Sequence, residues 1–206
     1  MCARFTIDGE VISAAVELTA TQNPEISALP PGDVRPTERA VIIAAHREQL
    51  HAGLMQWGFP QSEGKGLLIN ARSESVLEKT AFRESTLSRR CAIPARSFYE
   101  WDEKKNQITF SDPAHQVLFF AGIFSRFEGM PRFTILTTAA NRTVSRFHDR
   151  MPLLLDRTEL EPWILRDGEF ERYLQKEMPE LRYEQPFEQM TLFYDEGIRT
   201  EHHTSH

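Results

Sequence analysis

Between Arg4 and Thr137 the chain repeats one pattern: short apolar, β-branched or aromatic runs of strand length, separated by polar or Gly- and Pro-containing breaks. The runs fall at residues 4–7, 41–45, 54–57, 67–70, 91–93, 98–101, 108–110, 117–124 and 133–137, and each is too short and too rich in strand formers to compete as a helix. Helical spacing is confined to 11–19, to 75–90 with a break near Thr80, and to 157–165 and 169–175. Segments 29–36 and 58–66 read as loops. Many short strands with few helices imply an α+β domain around a curved, mostly antiparallel sheet. No internal repeat appears, and neither a GxxxxGK[ST] nor a GxGxxG loop follows any strand, which disfavours nucleotide-cofactor folds.

A chain of 206 residues with 14 Phe and 3 Trp supports one domain with a sizeable core. That domain is expected over 1–180, with an acidic tail over 181–206. From Asp156 onward 13 acidic residues outnumber 6 basic ones, whereas the first 155 residues carry 17 acidic and 18 basic. A net charge of -6 argues against a protein that coats DNA generically, but the basic residues, mostly Arg, permit a local nucleic-acid site. Two cysteines, Cys2 and Cys91, make neither a disulfide framework nor a zinc signature. With no signal peptide and no membrane-length apolar run, the expectation is a cytoplasmic monomer without metal or cofactor.

Four segments carry chemistry. Cys2 follows the initiator methionine, so loss of Met1 creates a 1,2-aminothiol. Its α-amine, with a pKa near 7.7–8.0, is partly neutral around pH 7 and attacks aldehydes to give imines. The adjacent thiol then closes a five-membered thiazolidine, which no internal cysteine can do. The plain alternative is a small residue that happens to occupy position 2. In 67–74, an apolar strand delivers Asn70 and Arg72 to one side. There they serve either as polar contacts at a reacting centre or as a strand-end cap and a surface ion pair. In 90–101, Glu100 lies between Tyr99 and Trp101 and shares a face with Phe98. Burial there would raise its pKa and suit it to acid–base work, and the alternative is a solvent-facing Glu100. Cys91 reads as core. In 137–152, His148 sits in a loop after a strand, either as a proton shuttle or as a brace paired with Asp149.

In this order and spacing the segments resemble the SOS response-associated peptidase (SRAP) family of abasic-site processing proteins. The family's opening MCGRF is similar to Met1-Cys2-Ala3-Arg4-Phe5, and its N-A-R-x-E to Asn70-Ala71-Arg72-Ser73-Glu74. Its R-C-x-x-P-A-x-G-F-Y-E-W resembles Arg90 to Trp101, its H-x-R-M-P resembles His148 to Pro152, and its W-G-x-x-P resembles Trp57-Gly58-Phe59-Pro60, shortened by one residue. Ala3 and Ser97 stand where the family has glycine. The resemblance implies a SRAP-like fold, a barrel-like curved sheet with few flanking helices, that binds abasic sites in single-stranded DNA. Cys2 would form a thiazolidine with the sugar aldehyde after autoproteolytic removal of Met1. Glu100 would act in Schiff-base formation and reversal, His148 in sugar ring opening, and Asn70 in positioning Cys2 and the sugar. Arg4 and Arg72 would hold phosphates, with Trp57 and Arg150 completing the DNA-binding set.

Two other classes stay open on the sequence alone. An N-terminal-nucleophile amidohydrolase would also use Cys2 and its amine, acting on small amides with Asn70 as oxyanion partner. A non-catalytic single-strand binder would rely on Arg and aromatics without Cys2.

Overall fold

The computed structural model describes residues 2–61 and 66–185. Its strands are β1 (Phe5–Ile7), β2 (Gly32–Val34), β3 (Arg39–His46), β4 (Gln49–Trp57), β5 (Phe59–Pro60), β6 (Leu67–Leu68), β7 (Asn70–Arg72), β8 (Arg90–Ala95), β9 (Ser97–Trp101), β10 (Gln107–Ser111), β11 (Leu118–Phe127), β12 (Met130–Ala139), β13 (Arg150–Pro152), β14 (Leu154–Leu155) and β15 (Arg182–Glu184). The helices are α1 (Gly9–Thr19), α2 (Pro24–Ser27), α3 (Thr80–Ser88), α4 (Leu160–Leu165) and α5 (Glu171–Leu174). No helix among the described residues is long and apolar enough to cross a membrane.

A large sheet runs β13-β12-β4-β3-β8-β11-β14, with β7 also on β12. Because β12 pairs with β11 as well, the strands β12, β4, β3, β8 and β11 close on themselves, which removes their free edges. A smaller sheet runs β15-β10-β9-β1-β2. Pairing is antiparallel except where β4 and β7 lie parallel to β12. This is the expected α+β class.

Side-chain alternation divides the interior in two. Ile42, Ile93, Phe120, Phe133 and Ile135 pack with Phe5, Val34, Phe98 and Phe110 of the smaller sheet. Val41, Ile43, Ala92, Phe119 and Leu136 point the other way and pack with Phe82, Leu160, Trp163 and Tyr173 from the helical layer. Covering both faces is why β8 is buried at every position and why its sequence lacks polar alternation. The fit is tightest at Gly122. A Cβ there would lie 2.4 Å from Ile93 Cδ1 and 3.0 Å from the Thr134 carbonyl oxygen. Gly122→Ala is expected to cost about 1–3 kcal/mol, measured as a lower urea midpoint at unchanged slope.

The observed elements depart from the sequence expectations most consequentially at these places. The loop at 29–36 contains β2, which adds to β1 so that Val34 reaches the core. The loop at 58–66 begins with β5, which pairs with β6 just beyond it, because Phe59 is buried against Phe82 and Phe127. The helix expected over 75–90 begins only at Thr80. Before it come a 3₁₀ turn at Ser73–Ser75 and a fully buried Val76. The domain also runs past residue 180: Leu181 is buried, and β15 pairs with β10. The apolar stretch at 192–194 lies outside the described residues.

Candidate functional site

Cys2 precedes β1, which lies between β2 and β9 with Phe5 opposite both Val34 and Phe98. Phe5 contacts Trp57 at 5.2 Å and Phe120 at 5.7 Å between ring centroids, so the start of the chain is anchored in the core rather than frayed. Cys2 is fully buried. Its thiol donates to the Arg4 carbonyl at 3.6 Å, and its own carbonyl accepts from Asn70 Nδ2 at 2.8 Å.

A backbone detour sets the position of Asn70. β4 runs parallel to β12 as far as Trp57 and leaves it at Gly58, whose φ of +104° favours glycine. The chain turns through β5 and β6 and returns to the same edge of β12 as β7, with Asn70 opposite Ile135. Within β7, Ala71 enters the core while Asn70 and Arg72 project to the other face. Asn70 Oδ1 is buried and has no hydrogen-bond partner among the described residues.

Glu100 is delivered by β9. Phe98 and Glu100 face inward, whereas Tyr99 and Trp101 are half-exposed. At 3% exposure, its carboxyl is pushed above the ordinary Glu range by burial, a shift that the charge of His148 opposes. Burial also drives the Cys2 thiol pKa strongly upward, and the Glu100 charge adds to this, so the sulfur stays protonated. These influences link the buried Cys2 and Glu100 with the half-buried His148 in one electrostatic neighbourhood, with Asn70 bonded to Cys2.

His148 follows a 3₁₀ turn at Val144–Arg146. Its Nδ1 accepts from the Arg150 amide at 2.9 Å and lies 3.1 Å from Asp149 Oδ1. The ring helps to line an open cleft of about 1190 Å³ together with Asp102, Lys104, Ala139, Phe147 and Asp149.

The residues expected to touch DNA are placed less uniformly. Arg72 is exposed at the end of β7. Arg4 is partly exposed, with its guanidinium 5.6 Å from the Tyr99 ring centroid and 5.5 Å from that of Trp101. Trp57 cannot stack on a base. It is fully buried, stacks on Phe133 at 6.1 Å and donates its indole N–H to the Ile69 carbonyl at 2.8 Å. Its place is beneath Phe5 as part of the anchor. Arg150 is also turned inward: its fork engages Glu74, with Nη2 at 2.8 Å from Oε2, and it donates to the Thr137 carbonyl at 2.6 Å. The free phosphate ligand expected there is instead a clamp between the 3₁₀ turn at Ser73–Ser75, β12 and β13. Glu74 is the partner that the sequence reading missed, although the N-A-R-x-E spacing contained it. Cys91 is core, as expected. Ala3 and Ser97 lie outside the left-handed region, so neither position requires glycine, and Ser97 Oγ pairs with Thr6 Oγ1 at 2.7 Å.

A family model described as SOS response associated peptidase (SRAP) matches residues 1–192. Over 179 residues the chain is 32% identical to the Abasic site processing protein YoqW of Bacillus subtilis, covering 80% of each. Over 190 residues it is 31% identical to the Abasic site processing protein YoaM of the same organism, covering 85% of this chain and 84% of that one. Among solved structures, a Bacteroides thetaiotaomicron protein superposes with a TM-score of 0.77 at 21% identity over 91% of this chain and 93% of its own. A Bordetella bronchiseptica protein gives a TM-score of 0.75 at 21% identity over 90% of this chain and 100% of its own. At that identity these two structures speak for the fold alone.

Proposed function

The chain belongs to the SOS response associated peptidase family, and from that premise we propose that it captures abasic sites in single-stranded DNA by a covalent bond to Cys2. The observation that carries this reading is the convergence on residue 2: Asn70 holds its carbonyl at 2.8 Å, and the charge of Glu100 acts on its thiol. The relatives' names, which refer to abasic-site processing, support the same substrate.

The chemistry begins with hydrolysis of the Met1–Cys2 peptide bond, which frees the α-amine. The neutral amine adds to the C1′ aldehyde of the ring-opened sugar, and the carbinolamine loses water to give an imine. Glu100, whose pKa burial raises, donates a proton from its acid form to the departing hydroxyl. The Cys2 sulfur then adds to the imine carbon as its proton passes to nitrogen, closing the thiazolidine. His148 lies on the cleft side, placed to move a proton on the sugar as its ring opens. Asn70 fixes the terminus, and its unpartnered Oδ1 accepts from the sugar or the amine.

The test is intact mass and denaturing electrophoresis with a single-stranded oligonucleotide made abasic by a uracil glycosylase. Loss of one methionine residue and a heat-stable adduct are expected. Protein that lacks Met1 and gives no adduct would end the reading. Glu100→Gln is expected to slow capture by about 10²-fold and to remove one limb of the pH profile. Its raised pKa keeps Glu100 protonated at pH values where an exposed Glu is ionised. In the parent, the rate therefore falls as pH rises through that value, while amine deprotonation pushes it up. The glutamine variant keeps only the rising limb.

A further inference from the structure

Asp33 of β2 lies on the outer face of the smaller sheet, opposite Thr6. Its Oδ2 is 3.3 Å from Arg4 Nη1 and 3.7 Å from Arg35 Nη2, and its Oδ1 accepts from the Tyr99 hydroxyl at 3.2 Å. One carboxylate thus takes two guanidinium groups and a phenol, a donor set equally suited to a phosphodiester oxygen pair. Arg4 does not depend on Asp33 for its place. It donates to Gln107 Oε1 at 3.1 Å and stacks near Tyr99 and Trp101. Arg35 is 57% exposed and has room to follow a ligand.

We propose that Asp33 stands in for a DNA backbone phosphate between Arg4 and Arg35, so that a bound strand displaces a carboxylate supplied by the protein itself. This rests on the reading that Arg4 meets the DNA backbone, and it adds Arg35 and Asp33 to that contact. The exchange swaps one anion for another, so non-covalent binding gains little from these two arginines. Undamaged strands are held weakly, and retention falls to the covalent step at Cys2. The resting ion pair thereby makes Asp33 a determinant of selectivity for damaged over intact DNA, in keeping with a net charge of -6 on a DNA-directed protein.

The experiment measures fluorescence anisotropy of a labelled, undamaged oligothymidylate across a potassium chloride series. Asp33→Asn, which preserves shape and an acceptor for Tyr99, is expected to tighten binding ~3–10-fold at low salt and to steepen the log–log salt slope by about 0.7, the contribution of one more phosphate contact. Adding Arg35→Gln to Asp33→Asn should remove most of that gain. Glu171→Gln, an exposed change of the same charge on α5, should leave both unchanged. Binding by Asp33→Asn that equals or falls below the parent overturns the proposal, as does an equal gain from Glu171→Gln. If Asp33→Asn melts early, Asp33→Ser is judged by the same criterion. Because the probe is undamaged, the two readings separate: a gain without any abasic adduct spares the phosphate mimic and defeats the capture reading, and an adduct without the gain does the reverse.

Discussion

Cys2→Ala is expected to abolish the heat-stable adduct with abasic single-stranded DNA altogether while leaving a borohydride-reducible one. The difference is chemical. With Met1 removed, the variant still presents an α-amine at residue 2, and that amine still condenses with an aldehyde. Without sulfur, the imine has no second nucleophile on the adjacent carbon, so it hydrolyses on heating unless reduced to a secondary amine. Position matters as much as type. Cys91 is equally buried and has the same strongly raised thiol pKa, but its nitrogen is an amide inside β8. Cys91→Ala should therefore leave the heat-stable adduct unchanged. Gel electrophoresis with and without borohydride reads all three proteins. A heat-stable band from Cys2→Ala, or its loss from Cys91→Ala, would put the bond elsewhere.

The site was legible in the sequence where it depends on neighbours along the chain. Strand alternation alone placed Asn70 with Arg72 and Glu100 with Phe98. It failed where the deciding contact is distant. Trp57 reads as an aromatic available to a base, yet its burial follows from Phe5 and Phe133, which are 52 and 76 positions away. Arg150 reads as a phosphate ligand, yet it is taken by Glu74 from the 3₁₀ turn after β7. Segment 29–36 reads as loop because Pro30, Pro31 and Gly32 dominate its composition, and its three-residue strand exists only because β1 offers an edge. With that strand comes Asp33, whose partners Arg4 and Tyr99 no local pattern reveals. The detour from Gly58 to Asn70 is of the same kind: the loop was visible, but its return to the strand edge it had left was not.

Arg90→Ala is expected to produce the largest loss of stability of any single change at a charged residue. Arg90 opens β8 with a side chain only 1% exposed. Its Nε donates to the Trp163 carbonyl at 2.6 Å, and its Nη1 to the Thr86 and Leu87 carbonyls at 3.0 and 2.6 Å. Nη2 reaches Asp167 at 2.7 Å, and the guanidinium lies 4.7 Å from the Phe170 ring centroid. The fork therefore closes the end of α3, ties it to α4 and carries its charge to a surface acid. Alanine would leave three carbonyls facing a void, each unmet acceptor costing about 1–3 kcal/mol, and would delete a packed side chain. Three unmet acceptors and the void together cost roughly 3–5 kcal/mol after partial relaxation, a large fraction of the ~5–15 kcal/mol that holds a domain together. For a chain of this length each 1 kcal/mol moves the melting temperature by about 2–4 °C, so Tm should fall by roughly 6–20 °C. Arg90→Met tests the cause: it restores volume but no donors, so it should recover only a minor part of the loss. Full recovery by methionine would mean that packing, rather than the three carbonyls, explains the buried arginine. Because Arg90 bonds to the helical layer and not to the layer holding Cys2 and Glu100, both variants should still capture abasic DNA at the parent rate well below their Tm.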